Sequence, residues 1–495
     1  MNGPKPPRSK FVSALFANWV GVFGLVLAIS SLFVTFCLIG FDLFHGFRQP
    51  YMGILIFLVL PSFIWMGIVL AGLGVWLEFR RAKKPGAEVR DEAREGRRQR
   101  QLVLALSCAF GFFMLTSLGS YQAFQVTESP QFCGALCHTV MRPEFSEYKT
   151  SPHARVPCTE CHIGPGASWF VRSKISGLYQ VYATVLNVYP RPIPVPVQNL
   201  RPAQETCEQC HWPAKFYGWV DLRHQFFLPD KQNTPWNIRM LVHVGGANET
   251  TGPVGGIHWH MILSNRIEYI ATDESRQTIP WVRVTNLKTG AVDVYESKDS
   301  PLTPKQKALA TRRLDCIDCH NRPTHIFDSP YSALDVSMWL GRIDPAIPSI
   351  KLNAAKALVK AAGAVSQAPG ITMVAEELSK EYSDYQDQPK IRQAIVETQR
   401  IFEDNFFPEM KTDWRVRPNN IGHYIWPGCF RCHDGSHVDK AGQAISNACD
   451  TCHTIITQGA PGKPQTVNLE GLKFDHPGGE IPPDILCNQC HTGAP

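Results

Sequence analysis

Six times in this chain two cysteines stand three apart, with a histidine directly after the second: Cys158–Cys161–His162, Cys207–Cys210–His211, Cys316–Cys319–His320, Cys429–Cys432–His433, Cys449–Cys452–His453 and Cys487–Cys490–His491. A seventh copy has one extra residue, Cys133–Cys137–His138. A C-x-x-C pair alone could hold zinc or cycle as a redox dithiol. Neither chemistry needs a histidine after every second cysteine. C-x-x-C-H is the attachment site of c-type haem: two thioethers tether the porphyrin and the adjacent imidazole reaches the iron. The motifs use fourteen of the sixteen cysteines, so the expected cofactors are seven covalently bound haems c. His138, His162, His211, His320, His433, His453 and His491 are then the proximal iron ligands. Met141, three residues past His138, is a rival ligand at the first site.

An electron-transfer haem takes a second axial ligand, commonly a histidine. Of seventeen histidines, seven are in motifs and His45 lies beside the apolar N-terminal runs, where it reads as interfacial. Nine remain. His153, His325, His423, His437 and His476 each lie in a Gly- or Pro-marked loop near a motif, and they rank first as distal ligands. In Gly256–Ile–His258–Trp–His260, strand alternation would turn both rings to one face. One of the two, His258 ahead of His260, is the expected sixth ligand. His224 and His243 are given no role. Six distal histidines for seven haems leave one haem without a partner, and the first is the natural candidate.

The elements that must carry these sites divide the chain. Its 495 residues suggest two or three folded units. The fold class expected is three transmembrane α-helices plus a periplasmic multihaem domain, mostly α and irregular, with a small β-rich insert. Residues 16–39, 51–76 and 102–124 are apolar and long enough to cross about 30 Å of hydrocarbon. Lys5, Arg8 and Lys10 precede the first run, and nine Lys and Arg fill residues 80–100 between the second and third. The turn between the first and second holds only Arg48. Basic residues stay cytoplasmic. The N-terminus and the 80–100 loop are therefore placed inside, and everything after the third span in the periplasm, the oxidising side where haem attachment belongs. Cys37 and Cys108 read as buried apolar residues. The net charge of +6 sits largely in one loop and gives no reason to propose nucleic-acid binding.

The domains expected are a membrane domain over 1–126, a first haem domain over 127–215 with motifs one to three, and a β-rich insert over 216–300. Haem 4 and a helical segment follow over 301–412, and haems 5–7 over 413–495. The alternating segments Ile238–Val244, Arg266–Ala271, Thr278–Val284 and Ala291–Tyr295 mark strands, with a hairpin turn at Asn286–Gly290. Residues 330–410 read as helices, for example Lys390–Glu403 with Ile391, Ala394, Ile395 and Ile401 on one face.

From Leu102 to about Phe216 the chain resembles the NapC/NirT family of membrane-anchored quinol dehydrogenases. The resemblance rests on one span, then Cys133–Gly–Ala–Leu–Cys137–His138–Thr–Val–Met141, then Ser151–Pro–His153 and Cys158–Thr–Glu–Cys161–His162. Trp169–Phe–Val–Arg–Ser–Lys174–Ile–Ser–Gly177 and Glu205–Thr–Cys207–Glu–Gln–Cys210–His211 complete it. The whole chain is similar to the inner-membrane heptahaem cytochromes of metal-reducing bacteria, the ImcH type. The resemblance implies that quinol binds at the membrane surface beside haem 1, held by a lysine that Lys174 matches. Where the family carries an acidic residue two helical turns on, this chain has Val181 and Tyr182. The family binds haem 1 through the Met beside the motif, so Met141 and His138 both stand as ligands. Glu144 and Glu147 are candidates to take the quinol proton.

The function expected is an inner-membrane quinol dehydrogenase, a quinol:cytochrome c-type oxidoreductase of anaerobic or extracellular respiration. Menaquinol is the expected substrate. Periplasmic multihaem cytochromes or a terminal reductase are the expected acceptors. An electron-conduit subunit of a larger complex and a terminal multihaem reductase are the alternatives.

Overall fold

The computed structural model describes residues 14–45, 55–82 and 100–495, apart from residue 17, scattered positions in 101–124, and residues 137, 165–166, 198–199, 213–214, 246–255, 262–263, 463–464 and 483–484. The chain forms two units. One comprises Met1–Ser129 with Pro165–Arg172, the other Pro130–Gly164 with Ser173–Pro495.

In the first unit, α1 (Trp19–His45) and α2 (Leu60–Ala82) contain apolar stretches of 22 and 21 residues, Trp19–Gly40 and Leu60–Arg80. At about 1.5 Å per residue each is long enough to cross a bilayer core. α2 starts later than the apolar run that marked it, because a π-turn at Leu55–Val59 precedes it and Pro61 sits in its first turn. The helices run antiparallel and touch through small residues. A Cβ placed on Gly67 would come within 2.5 Å of Ala28 N and 2.6 Å of Gly24 O. Asn18 joins the ends of the pair, donating from Nδ2 to Gly74 O at 2.6 Å while its Oδ1 accepts from Gly21 N. Such close approach lets main chains make the contacts that lipid cannot supply. Trp19, Phe23, Phe36, Trp65 and Val69 point outward, the arrangement of lipid-facing side chains. Cys37 and Cys108 are exposed as well. Contrary to the sequence reading, they lie on the outer surface rather than in a core. The third expected span and the side chains of His45 and His138 fall on or largely on residues outside those described.

In the second unit, α3 (His138–Thr150) follows the first motif; α4 (Ala167–Val185) follows the second, and belongs to this unit from Ser173 onward. The core is a bundle of α5 (Pro330–Trp339), α6 (Ile350–Ala361), α7 (Gln367–Glu381) and α8 (Gln388–Asn405). Ser329 caps α5 by accepting from Ser332 N, with Pro330 next in the chain, and Asp387 caps α8 by accepting from Lys390 N. Leu334, Ile347, Ile350, Leu358, Leu378 and Phe402 are fully buried in the bundle. Each such side chain contributes about 1.5–3 kcal/mol.

Among the described residues eight strands complete the unit: β1 (Trp219–Phe227), β2 (Pro235–His243), β3 (Asn265–Ile270), β4 (Trp281–Asn286), β5 (Val292–Ser297), β6 (Arg312–Arg313), β7 (His437–Val438) and β8 (His453–Gly459). They form antiparallel sheets in the orders β1-β2-β8 and β6-β3-β4-β5-β7. The stretch 216–300 is therefore not a self-contained insert. Its sheets are finished by strands from beside the fourth, fifth and sixth motifs, which ties the insert to those motifs. The end of β1 is fixed to the bundle by a buried pair, Lys351 Nζ to Asp335 Oδ1 at 2.5 Å, with Asp335 Oδ1 also accepting from Phe227 N.

Candidate haem-ligand sites

The regular motifs sit on short turns that place the histidine just past the second cysteine. Cys158–His162 is a single helical turn, as are Cys316–Cys319 and Cys487–Cys490. The fourth motif shows why the turn forms. Asp315 caps it and Asp318 reaches back to the cap nitrogen, a reciprocal box that satisfies two orphan donors. The Asp318 carboxylate, 1% exposed, also accepts from Tyr269 Oη at 2.8 Å, Arg312 Nε at 3.0 Å and Arg276 Nη1 at 3.2 Å.

Each of the six motif histidines with a described side chain faces a second histidine. The ring centres are 6.4 Å apart for His162 and His325, 6.0 Å for His211 and His153, and 6.3 Å for His320 and His258. They are 5.8 Å apart for His433 and His260, 6.2 Å for His453 and His423, and 5.9 Å for His491 and His476. One metal ion bound by two imidazoles, with about 2.0 Å to each nitrogen and about 1.1 Å from nitrogen to ring centre, sets the centres about 6.2 Å apart. The observed spacings, 5.8–6.4 Å, bracket that value.

The outer contacts of the rings agree. Nδ1 of His325 lies 2.8 Å from Glu144 O, that of His258 3.1 Å from Val244 O, and that of His260 2.8 Å from Ile257 O. His153 uses Pro323 O and His433 uses Ser446 O in the same way. A carbonyl only accepts, so Nδ1 must carry the proton and Nε2 keeps a free lone pair, the tautomer a metal needs. Burial pushes the rings of His162, His258, His260, His320, His423, His453 and His491 below the ordinary histidine value. His325 goes down to about 4 through burial and the neighbouring His162. Neutral imidazole is the ligating form.

Two sequence expectations are corrected. His437, ranked as a distal ligand, is 2% exposed and has both ring nitrogens engaged. Nδ1 meets the Asp434 carboxylate at 2.8 Å and Nε2 meets Ile279 O at 2.6 Å. Both partners are acceptors, so both nitrogens carry protons. Burial works against that charge, but the hydrogen bonds to Asp434 and Ile279 and the charge of Asp434 outweigh it and raise the group. An imidazolium has no lone pair for iron. The second correction is that His258 and His260 both face motif histidines. The segment is a 3-10 turn, Ile257–Met261, not a strand. With three residues per turn, positions two apart diverge instead of sharing a face. Gly256, at φ 114°, was the available signal, because that conformation ends a strand. His243 Nε2 contacts Thr454 Oγ1 at 2.9 Å, and the His224 ring lies beside Phe226.

Consecutive sites are neighbours. Cys133 adjoins Cys158, and Cys207 adjoins Cys316. Cys161 lies close to Cys207 and Cys210, Cys319 to Cys429, Cys452 to Cys429, and Cys487 to Cys449. Phe430, inside the fifth motif, stacks on His423 of the sixth pair at 4.2 Å, and Tyr424 packs on His491 of the seventh at 4.6 Å. Arg431 of the fifth motif donates to Asp318 O of the fourth at 2.6 Å. The seven motifs therefore adjoin one another in the order in which they occur in the sequence.

Met141 is half-buried on α3, the helix that starts at His138. Lys174 is half-buried on α4. Glu144 Oε1 pairs with Arg417 Nη2 at 3.2 Å. Glu147 is buried, and burial with the charges of Asp328, Asp404 and Glu144 pushes it up to about 10, so it holds its proton at neutral pH.

Residues 96–192 match the N-terminal region of the NapC/NirT cytochrome c family. Over 491 residues the chain is 37% identical to the cytochrome c-type protein ImcH of Geobacter sulfurreducens, covering 96% of this chain and 95% of that protein. The chain belongs to the NapC/NirT cytochrome c family. No solved structure matches it significantly. Membership makes it a membrane-anchored multihaem cytochrome c of electron transport, and covalently bound haem c follows for its motifs. The residues present fit that group: cysteines at attachment spacing, and facing imidazoles held in the metal-binding tautomer. Sequence reasoning missed Arg322 and Arg417, both buried and each with an Nε that has no partner. No local pattern marks them, because they meet only in the folded chain.

Proposed function

We propose that this cytochrome oxidises quinol at the membrane surface and sends the electrons outward through seven c-type haems to a periplasmic acceptor. Each oxidation releases two electrons and two protons from the quinol, menaquinol being the preferred substrate. A bound haem supplies a site that takes up and gives back one electron; the chain holds and orders these sites. The observation that carries the reading is the set of six imidazole pairs in an unbroken run of neighbours. A route of this kind needs six-coordinate, low-spin irons, which change little on gaining an electron. A terminal reductase instead needs an open iron position, which facing imidazoles would close.

In this reading His153, His258, His260, His325, His423 and His476 are the distal ligands. Haem 1, attached at Cys133 and Cys137, takes His138 or Met141. The protein sits in the inner membrane with three spans, its N-terminus inside and its haems in the periplasm. Lys174 donates to the quinol oxygen, and its charge favours loss of the quinol proton. Of the two candidate carboxylates, Glu147 already carries a proton, which leaves Glu144, paired with Arg417, as the remaining candidate.

The test is reduction of the purified, oxidised protein by a menaquinol analogue, followed by haem absorbance. Lys174→Ala removes a charge-assisted hydrogen bond of roughly 1.5–3 kcal/mol and should slow reduction about ten- to hundred-fold at limiting quinol. Dithionite reduction and haem content should stay unchanged, and Lys174→Arg should recover part of the rate. Reduction at the parent rate in Lys174→Ala would place the quinol site elsewhere. A parent protein that quinol cannot reduce, while dithionite does, would favour a conduit subunit.

A further inference from the structure

Beside the His162–His325 pair the protein buries more positive than negative charge. Arg417 is among the largest fully buried side chains, with 1% of its side chain exposed. Its Nη1 donates to Ile193 O at 2.8 Å and its Nη2 to Glu144 Oε1 at 3.2 Å, but its Nε–H meets no acceptor. Arg322, 7% exposed, likewise has a buried Nε–H with no acceptor. The charges that act on Arg322 are those of Arg417 and Glu144. Glu144 is ion-paired with Arg417, and among the described residues no carboxylate is ion-paired with Arg322. The pair adjoins the site directly: both arginines act on the His325 ring, and the Glu144 residue that holds Arg417 also holds His325 Nδ1 through its main-chain oxygen.

An unpaired guanidinium and two orphaned donors are costly in a protein interior, by several kcal/mol when nothing offsets them. Glu147 does not offset them, because it is protonated. An anion with two acceptor oxygens would, since arginine presents its donors as a fork that matches a carboxylate. A c-type haem carries that group in its propionates.

We propose that Arg322 and Arg417 form a buried anion-binding pair that takes the carboxylate of a haem propionate at the His162–His325 site. This rests on the reading that His162 and His325 ligate haem 2. The pair then does two things. It would anchor the haem through its propionate, and it places positive charge beside His325, which favours the reduced state. Haem 2 becomes a better acceptor for electrons leaving haem 1.

Spectroelectrochemical titration of the intact holoprotein tests this. His325→Met first marks the component of haem 2, because exchanging imidazole for thioether raises that haem's potential. In Arg322→Gln the marked component should move to lower potential while the other components stay in place. Arg322→Lys, which keeps the charge but loses the fork, should show a smaller shift and serves if Arg322→Gln does not assemble. The parent's component should not respond to added phosphate, because its anion is part of the haem; a response would identify a dissolved anion and overturn the propionate assignment. An unmoved haem 2 component in a fully haem-loaded Arg322→Gln would also overturn it. If His325→Met moves no component, the ligand reading itself fails.

Discussion

Asp318→Asn should destabilise the second unit without touching an iron ligand. The parent carboxylate is 1% exposed and serves Tyr269, Arg276, Arg312 and the cap nitrogen of Asp315 together. Removing one member of a buried ion pair costs about 3–5 kcal/mol. The two guanidiniums are 23% and 35% exposed, so solvent screens part of that, and about 2–4 kcal/mol is expected. With about 2.1 cal/mol/K of unfolding entropy per residue, a cooperative unit of roughly 350 residues loses about 3–5 °C in Tm. The loss extends further, since Arg431 and Asn420 both lean on Asp318 O and join the fourth motif to the fifth. The assay is thermal unfolding by far-UV circular dichroism, with haem content measured to confirm full loading. Asp450→Asn, in the exposed turn of the sixth motif, is the control and should leave Tm unchanged. A Tm for Asp318→Asn within about 1 °C of the parent would refute the reasoning.

His437→Gln should remove a pH-dependent part of stability. The folded group is raised above the unfolded value of about 6.5, so its contribution is complete below that pH and is lost as pH rises through the folded value. Urea midpoints for parent and variant should differ most near pH 5.5 and converge at alkaline pH; a constant gap would contradict this. Gly67→Leu drives a side chain into Ala28 N and Gly24 O and should separate α1 from α2, read as a longer distance between spin labels placed at Ala28 and Ala71. An unchanged distance would show that the helices do not meet there. His260→Ala should convert one haem to high spin in the oxidised protein, and His437→Ala should convert none. The opposite result would reverse the assignment of these two residues.

How much of this was legible in the sequence depends on how local each signal is. The seven motifs and the α1–α2 hairpin are written in contiguous residues and spacings. Helices in 330–410 were visible because Ile391, Ala394 and Ile401 recur at the helical period and are buried in α8. Distal ligands are non-local. His325 follows the fourth motif yet faces His162 of the second, and His153 precedes the second motif yet faces His211 of the third. Proximity in sequence therefore identified candidates without pairing them, and it promoted His437, whose neighbour Asp434 makes it a structural cation. His260 was underrated because alternation was read where a positive-φ glycine opens a 3-10 turn. The sheets close through β6, β7 and β8, strands whose partners are distant in sequence and whose lengths, two residues in two cases, give no periodicity.

The central claim is that six irons are each held between two imidazoles and that the seventh is held differently. Near-infrared magnetic circular dichroism of the oxidised protein, scaled to total haem, counts these ligand sets directly. The account predicts seven haems per chain, six with bis-imidazole bands and one without. Fewer than six bis-imidazole haems in a fully loaded protein would contradict it.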